Sequence, residues 1–83
     1  MTKEEIFQVV KQVTLEILDE LDPEQITIDQ SLKNLGANSI DRAEIVTNTL
    51  EELQLKIPLV ELGGAKDLTG LVDILHQKMN ASV

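Results

Sequence analysis

Residues 35–41 read Leu35-Gly36-Ala37-Asn38-Ser39-Ile40-Asp41, a glycine-containing turn that ends in a serine just where an amphipathic helical pattern begins. The hydroxyl of Ser39 is therefore predicted at the positive end of a helix dipole, beside backbone N–H groups that have no partner within the helix. Helix N-termini are natural anion sites, so this position suits a phosphate ester. The simpler alternative is that Asn38 or Ser39 is only an N-cap, because both residue types are favoured there.

The helix that follows this turn is predicted to run from Ser39 to Gln54 with one apolar and one acidic face. At roughly 100° per residue, the residues expected to face the core are Ala43, Val46, Thr47, Leu50 and Leu53. The opposite face comprises Asp41, Glu44, Asn48, Glu51 and Glu52. Ile40 and Ile45 lie beside these faces, where they either pack against a neighbouring segment or form the apolar part of a docking surface.

Two further helices flank this central one. The first is predicted to begin at a capping box formed by Thr2 and Glu5 and to end near Pro23. Its apolar stripe comprises Ile6, Val10, Val13, Ile17 and Leu21. The last helix is predicted to be capped by Thr69, and its stripe comprises Leu68, Leu71, Val72, Leu75 and Met79. Each stripe follows the spacing of three and four residues that is typical of an amphipathic helix.

The connections between the helices differ in character. Residues 22–38 form a long loop, which should be anchored to the core by Ile26, Ile28, Leu32 and Leu35. Within it, Asp29 is expected to cap a short turn that Gly36 ends. Pro58 and the pair Gly63-Gly64 weaken any helix between them. The pattern predicts an all-α fold with a single domain over residues 1–83, a small four-helix bundle with a long first loop and a short, irregular third helix.

Composition excludes several classes of function. The formal net charge of −8, from 15 acids and 7 bases, argues against nucleic-acid binding, because a phosphate backbone would be repelled. No cysteine is available for a disulfide, a thiolate zinc site or a thiol nucleophile. The single histidine, His76, has no triad partners in the sequence pattern, and no spacing matches a metal site. Without a membrane-length apolar stretch or a signal-peptide pattern, a cytoplasmic protein that does not bind a membrane is expected.

The motif at residues 35–41, followed by Glu44-Ile45-Val46 and later by Ile57-Pro58, resembles the acyl carrier proteins. The resemblance implies that Ser39 is the attachment serine, which a phosphopantetheinyl transferase esterifies with 4′-phosphopantetheine from coenzyme A. The terminal thiol of this arm would hold acyl groups as thioesters, so the chain itself would be a carrier and not an enzyme. A thiol supplied by the cofactor agrees with the absence of cysteine. Asn38 departs from the family pattern, which usually has aspartate before the serine.

The run from Asn38 to Ile45 is similar to free-standing carriers of polyketide pathways, and among these to the acetyl donor carriers of β-branching cassettes. Arg42 favours this subclass, because a basic residue within an acidic helix can discriminate among partners. The implied partners are an acyltransferase, a ketosynthase-like decarboxylase and a hydroxymethylglutaryl-CoA synthase-like enzyme, bound by a monomeric carrier. The predicted partner-binding residues are Asn38, Ile40, Asp41, Arg42, Glu44, Ile45, Asn48, Glu51 and Glu52. The alternatives are a carrier for fatty-acid synthesis or for an amino acid, and an unmodified helical adaptor.

Overall fold

The computed structural model describes residues 1–62 and 65–81, and every regular element in this part of the chain is helical. Three α-helices, α1 (Lys3–Ile17), α2 (Ser39–Leu53) and α3 (Leu68–Ala81), are joined by segments that contain 3₁₀ turns at Pro23–Gln25 and Leu59–Leu62. The four-residue turn at Leu59–Leu62 takes the place of the short third helix, so the predicted all-α fold is confirmed. Gly63-Gly64 lies outside the described residues. None of the described helices is long and apolar enough to cross a membrane.

The core lies where α1 packs against both α2 and α3. The helix residues that form it are Ile6, Val10, Leu50, Leu53, Leu68, Leu71, Val72 and Leu75. Ile26 from the long loop and Leu62 from the second 3₁₀ turn complete this main cluster. Its members from α1 and α3 belong to the predicted apolar stripes. Because the core is almost entirely aliphatic, the bundle is stabilised chiefly by removal of these side chains from water.

Helix α1 begins as predicted but ends early. The Thr2 backbone N–H donates to Glu5 Oε1 (2.8 Å) and the Glu5 N–H donates to Thr2 Oγ1 (3.2 Å), which completes the capping box. The hydrogen bond from the Thr2 backbone N–H, followed by one from the Thr2 side chain, lowers the pKa of the Glu5 carboxyl below its ordinary value. The helix ends at Ile17, so the extension to Leu21 was wrong. Leu21 still packs against the core, but it does so from the turn that follows the helix.

The buried face of α2 is rotated relative to the predicted one. Leu50 and Leu53 are buried as expected, whereas Ala43 and Thr47 are exposed. Their predicted places in the core are taken by Ile45 and Thr49. Thr49 can be buried because its hydroxyl donates to the Ile45 carbonyl (2.7 Å), which leaves no unpaired polar atom on that side chain.

The long loop is fixed by hydrogen bonds to the first turn of α3. The backbone N–H groups of Leu68 and Thr69 donate to the carbonyls of Gln30 (2.8 Å) and Ile28 (2.9 Å). Thr69 also donates its hydroxyl to the Ile28 carbonyl, so it is not the N-cap that was predicted. Asp67 has that role instead, because its Oδ1 accepts from the Gly70 N–H (2.8 Å). Ile28 contributes its carbonyl, and its side chain is 42% exposed rather than anchored in the core.

Candidate functional site

The turn before α2 is held by a set of backbone hydrogen bonds. The N–H groups of Leu35, Gly36 and Ala37 donate to the carbonyls of Ser31, Lys33 and Leu32 at 3.0–3.1 Å. Gly36 has a φ of +100°, a left-handed conformation that glycine adopts without a steric penalty. The predicted stop at Gly36 is therefore confirmed, but the turn is capped by Ser31, whose hydroxyl accepts from the Asn34 N–H (3.0 Å), and not by Asp29.

Behind the turn, a small apolar cluster anchors the start of α2 to α1. Ala37 is buried and forms this second cluster with Val13 of α1 and Ile45 of α2. Ala37 precedes the N-cap directly, so its burial fixes where the chain enters the helix. The turn and the cluster together determine the position of the next two residues, Asn38 and Ser39.

Asn38, and not Ser39, is the N-cap of α2. Its side-chain Oδ1 accepts from the Asp41 N–H at 2.8 Å, and its carbonyl accepts from the Arg42 N–H at 2.9 Å. Ser39 is the first residue of the helix and is exposed to solvent. Within residues 1–62 and 65–81 its hydroxyl has no hydrogen-bond partner. The capping alternative therefore applies to Asn38 alone, and the hydroxyl of Ser39 is available for chemistry.

The backbone around this hydroxyl is suited to an anion. Of the four N–H groups at the start of α2, those of Asp41 and Arg42 are bonded to Asn38. The N–H groups of Ser39 and Ile40 donate to no acceptor in the described chain, so they can donate to an oxygen held at Ser39. The partial positive charge of the helix N-terminus adds to this preference.

A cavity of about 490 Å³ lies beside the start of α2. Its apolar lining comes from Leu32, Val46, Leu59, Leu62, Leu68 and Leu71. Arg42 and Ala43 of α2 also line the cavity. The cavity therefore lies beside α2, beginning about one turn after Ser39. The sequence alone does not predict this cavity, because the residues that line it come from four separate segments.

Most of the predicted partner-binding residues lie on the outside of α2. Arg42, Glu44, Glu51 and Glu52 are exposed, and Ile40 is 75% exposed. Asn38 is also exposed, whereas Asp41 and Asn48 are half-buried. These residues give the helix an acidic outer face with one apolar side chain, Ile40, next to Ser39.

Ile45 does not belong to that outer face. Its side chain is completely buried against Val13 and Ala37, so the prediction that it contributes apolar contact to a partner was wrong. The physical reason is the rotation of α2 described above, which turns Ile45 toward α1. Ile40 is then the large apolar side chain of this helix that a partner can reach.

No second group near Ser39 completes a catalytic arrangement within the described chain. His76 lies on α3, where its ring contacts the side chain of Asn80 at 3.3 Å, and it makes no hydrogen bond to Ser39. The described residues hold no group of three or more histidine and carboxylate side chains that could bind a metal ion. Among the described residues, the site therefore offers an exposed hydroxyl beside two N–H groups that have no acceptor.

Comparison with known proteins gives a consistent family. Residues 8–75 match the family described as a phosphopantetheine attachment site. The chain is 43% identical over 82 residues to the polyketide biosynthesis acyl-carrier-protein AcpK of Bacillus subtilis (strain 168), covering 99% of this chain and 100% of that protein. It is also 34% identical over 82 residues to an acyl carrier protein of Guillardia theta, covering 98% of this chain and 100% of that one.

A solved structure extends the comparison to the backbone. The chain matches, with a TM-score of 0.88 and 41% identity, a chain in the crystal structure of the curacin biosynthetic pathway HMG synthase in complex with acetyl donor-ACP. The match covers 94% of this chain and 100% of that chain. The family match over residues 8–75 spans the turn, the start of α2 and the segments around the cavity.

Proposed function

This chain belongs to the acyl carrier protein family, and from that premise we propose that Ser39 is the residue that bears its 4′-phosphopantetheine. The family's members are carriers and not enzymes. When attached, the prosthetic group supplies a terminal thiol on which acyl groups are held as thioesters. The observation that carries the assignment is the exposed hydroxyl of Ser39, unpaired among the described residues, at a helix start where two N–H groups are also free.

The proposed attachment is a phosphoryl-group transfer from coenzyme A. Ser39 Oγ forms a bond to the phosphorus next to the pantetheine, and the P–O bond to the adenosine bisphosphate breaks. The hydroxyl proton passes to a base of the transferase, and adenosine 3′,5′-bisphosphate leaves. The N–H groups of Ser39 and Ile40 then face the new phosphodiester and stabilise its charge.

The assignment is tested by intact-mass measurement of the purified chain after incubation with coenzyme A, magnesium and a phosphopantetheinyl transferase of broad specificity. We expect the native chain to gain the mass of one phosphopantetheinyl group and Ser39→Ala to gain none. Thr47→Ala is the matched control, because it removes another exposed hydroxyl from α2, and it should be modified like the native chain. Modification of Ser39→Ala would place the attachment site elsewhere.

We further propose that the carrier serves a polyketide pathway as the acetyl donor for β-branching. The supports are the similarity to AcpK, the similarity to the chain in the complex of HMG synthase with acetyl donor-ACP, and the exposed Arg42 within an acidic helix. The partners under this proposal are the transferase, an acyltransferase, a ketosynthase-like decarboxylase and an HMG synthase-like enzyme, met by a monomeric carrier in the cytoplasm. The docking surface is the outer face of α2, which comprises Asn38, Ile40, Asp41, Arg42, Glu44, Asn48, Glu51 and Glu52.

Transfer of an acetyl group from the loaded chain to an HMG synthase-like enzyme tests the donor proposal. Exposed charges at an interface mainly set the association rate and partner choice. We therefore expect Glu44→Lys and Glu51→Lys to slow transfer at low salt, with the difference shrinking as salt is added. Glu16→Lys, at another exposed acid on α1, should transfer at the native rate. Transfer that is indifferent to all three substitutions would contradict the docking surface, and no transfer at all would favour the fatty-acid or amino-acid alternatives.

A further inference from the structure

A second cavity lies within the long loop, on the part of the chain that leads to Ser39. It has a volume of about 450 Å³. Its lining comes entirely from the segment between the end of α1 and the turn before α2, and it comprises Leu21, Glu24, Gln25, Thr27, Gln30, Asn34, Leu35 and Gly36. We call this cavity the loop pocket. It shares no lining residue with the cavity beside α2, so it is a separate site.

The loop pocket offers amide groups that the fold leaves unused. Gln25 Oε1 accepts from the Asp22 N–H (2.8 Å), which fixes the orientation of this side chain and leaves its NH₂ group as a donor. The side-chain amides of Gln30 and Asn34 have no hydrogen-bond partner in the described part of the chain. The carboxylate of Glu24 makes no ion pair with any described residue. The pocket therefore holds both donors and acceptors for a ligand with neutral polar groups.

Two leucines give the loop pocket an apolar side. Leu21 and Leu35 are half-buried, and both pack against the main core cluster. The part of each side chain that lines the pocket suits small alkyl groups. The cavity beside α2 differs, because an amide group placed against its aliphatic lining would lack hydrogen-bond partners. Of the two cavities, the loop pocket is therefore the one suited to a ligand that combines amides with methyl groups.

The loop pocket also lies within reach of a group attached to Ser39. Gly36, which is part of its lining, is three residues before Ser39, so their Cα atoms are at most about 11 Å apart. The 4′-phosphopantetheine arm has about 14 bonds from the serine oxygen to its sulfur, which corresponds to about 16 Å on the scale of an extended polypeptide. The two amides of the arm lie in its middle and outer parts, so they can enter the pocket while the arm stays attached.

We propose that the loop pocket binds the pantetheine part of the arm, so that the arm of the modified chain rests along the long loop and not along α2. The proposal rests on the proposed attachment of the arm at Ser39. Pantetheine has two amides, a hydroxyl and a pair of geminal methyl groups. The methyl groups match Leu21 and Leu35. The two amides match the unused side-chain amides and the carboxylate of Glu24.

The test uses the whole chain, modified through the transferase from coenzyme A that is isotope-labelled at both pantetheine amides and at the geminal methyl groups. Hydrogen bonds in the loop pocket should slow the exchange of the two amide hydrogens with solvent by about threefold to tenfold relative to free pantetheine. Nuclear Overhauser effects should join the geminal methyl groups to the methyl groups of Leu35. The side-chain NH₂ signals of Gln25, Gln30 and Asn34 should differ between the modified and the unmodified chain.

Variants of the loop pocket identify the residues responsible. Gln30→Ala/Asn34→Ala removes two of the unused amides, and most of the protection from exchange should be lost. The backbone carbonyl of Gln30, which accepts from the Leu68 N–H, is kept in this variant. Gln8→Ala/Gln12→Ala is the matched control, because it removes two exposed amides of α1 outside the loop pocket, and it should retain the full protection.

The outcomes are distinguishable from those of the attachment test. If Ser39 is not modified at all, the proposed function fails, and the binding of the arm fails with it. If the arm is attached but its amides exchange as fast as those of free pantetheine, the attachment stands and the loop pocket is overturned as its binding site. Overhauser effects from the geminal methyl groups to Val46 or Leu59 would place the arm in the cavity beside α2 and would equally overturn the proposal.

Discussion

The starts of α2 and α3 are two helix N-termini with opposite uses. At the start of α3, the first three N–H groups are all bonded, to the carbonyls of Gln30 and Ile28 and to the side chain of Asp67. At the start of α2, Asn38 accepts from the N–H groups of Asp41 and Arg42, and those of Ser39 and Ile40 have no partner in the described chain. The N–H groups at the positive end of the α3 dipole are bonded within the fold. The positive end of the α2 dipole faces solvent beside the exposed hydroxyl of Ser39.

The difference supports the proposed attachment at Ser39, because the fold leaves its hydroxyl and two N–H groups there without partners in the described chain. The long loop could have placed a carbonyl over the start of α2, as it does over the start of α3. Instead, the loop ends at the buried Ala37, and the next residue, Asn38, is exposed to solvent. Loop carbonyls thus brace the start of α3, while the start of α2 depends on apolar packing against α1.

The largest effect is expected from removing that packing with Ile45→Ala. Truncation of a fully buried isoleucine removes contacts with Val13 and Ala37 and leaves a cavity, which should cost about 2–5 kcal/mol in the free energy of unfolding. Denaturant unfolding measures the change. If the start of α2 is anchored as described, modification of Ser39 should also slow under conditions where the variant is still folded.

Ile40→Ala is the matched control, because it truncates an isoleucine of the same helix that is 75% exposed. It should change stability by no more than about 0.5 kcal/mol. Equal losses from the two variants would contradict the rotation of α2 and would return Ile45 to the docking surface.

A smaller effect is expected at the start of α3, where Asp67→Ala removes the side chain that accepts from the Gly70 N–H. Loss of an N-cap should cost about 1 kcal/mol. Asp67→Asn should recover most of it, since asparagine caps equally well. Both variants should be modified at Ser39 at the native rate. A loading defect that follows the loss of this cap would show that the two helix starts are coupled and not separate in use.

The contrast between the two starts also shows how far the sequence could predict the structure. Local spacing and residue type predict the capping box at Thr2, the apolar stripe of α3, the stop at Gly36 and the position of Ser39 at a helix start, and the structure agrees with each. The resemblance to the acyl carrier proteins, carried by residues 35–41, is confirmed by the comparisons. These features are local, so a pattern of a few residues contains them.

The features that the sequence did not predict depend on distant partners. Thr69 was taken for a cap because threonine is favoured there, but its hydroxyl bonds to a carbonyl 41 residues away. Ile45 was left open between two faces, since periodicity defines a buried stripe only to within about one residue and α1 decides the rotation. The cavity beside α2 has no local signal either, because Lys33, Arg42 and Lys66, which line it, are brought together only by the packing of separate segments.

Asn38→Asp probes the charge at the start of α2 and should have a still smaller effect on stability. Aspartate caps as well as asparagine, and its charge interacts favourably with the helix dipole but unfavourably with Asp41. The net change should stay within about 0.5 kcal/mol. We expect the rate of modification to rise, because the carboxylate adds attraction for the magnesium ion that accompanies coenzyme A. Initial rates of the mass gain measure this, and a slower rate would contradict the electrostatic role.

The smallest effect is expected at the N-terminus of α1. Its capping box is formed by Thr2 and Glu5 alone and involves neither the site at Ser39 nor the long loop. The folded-state pKa of Glu5 is lowered from its ordinary value of 4.5, chiefly by the hydrogen bond from the Thr2 N–H. A depressed pKa gives stability that is present above pH 4.5 and is lost as the pH falls through the folded-state value.

Glu5→Gln keeps the geometry of the box without the titration, because glutamine also serves at this position. The stability of the native chain relative to Glu5→Gln should therefore decline below pH 4.5 and stay constant above it, as measured by thermal unfolding over a pH series. Because the carboxylate is fully exposed, the decline should be slight, and a large one would mean that the α1 start depends on charge as strongly as the α2 start depends on Ile45.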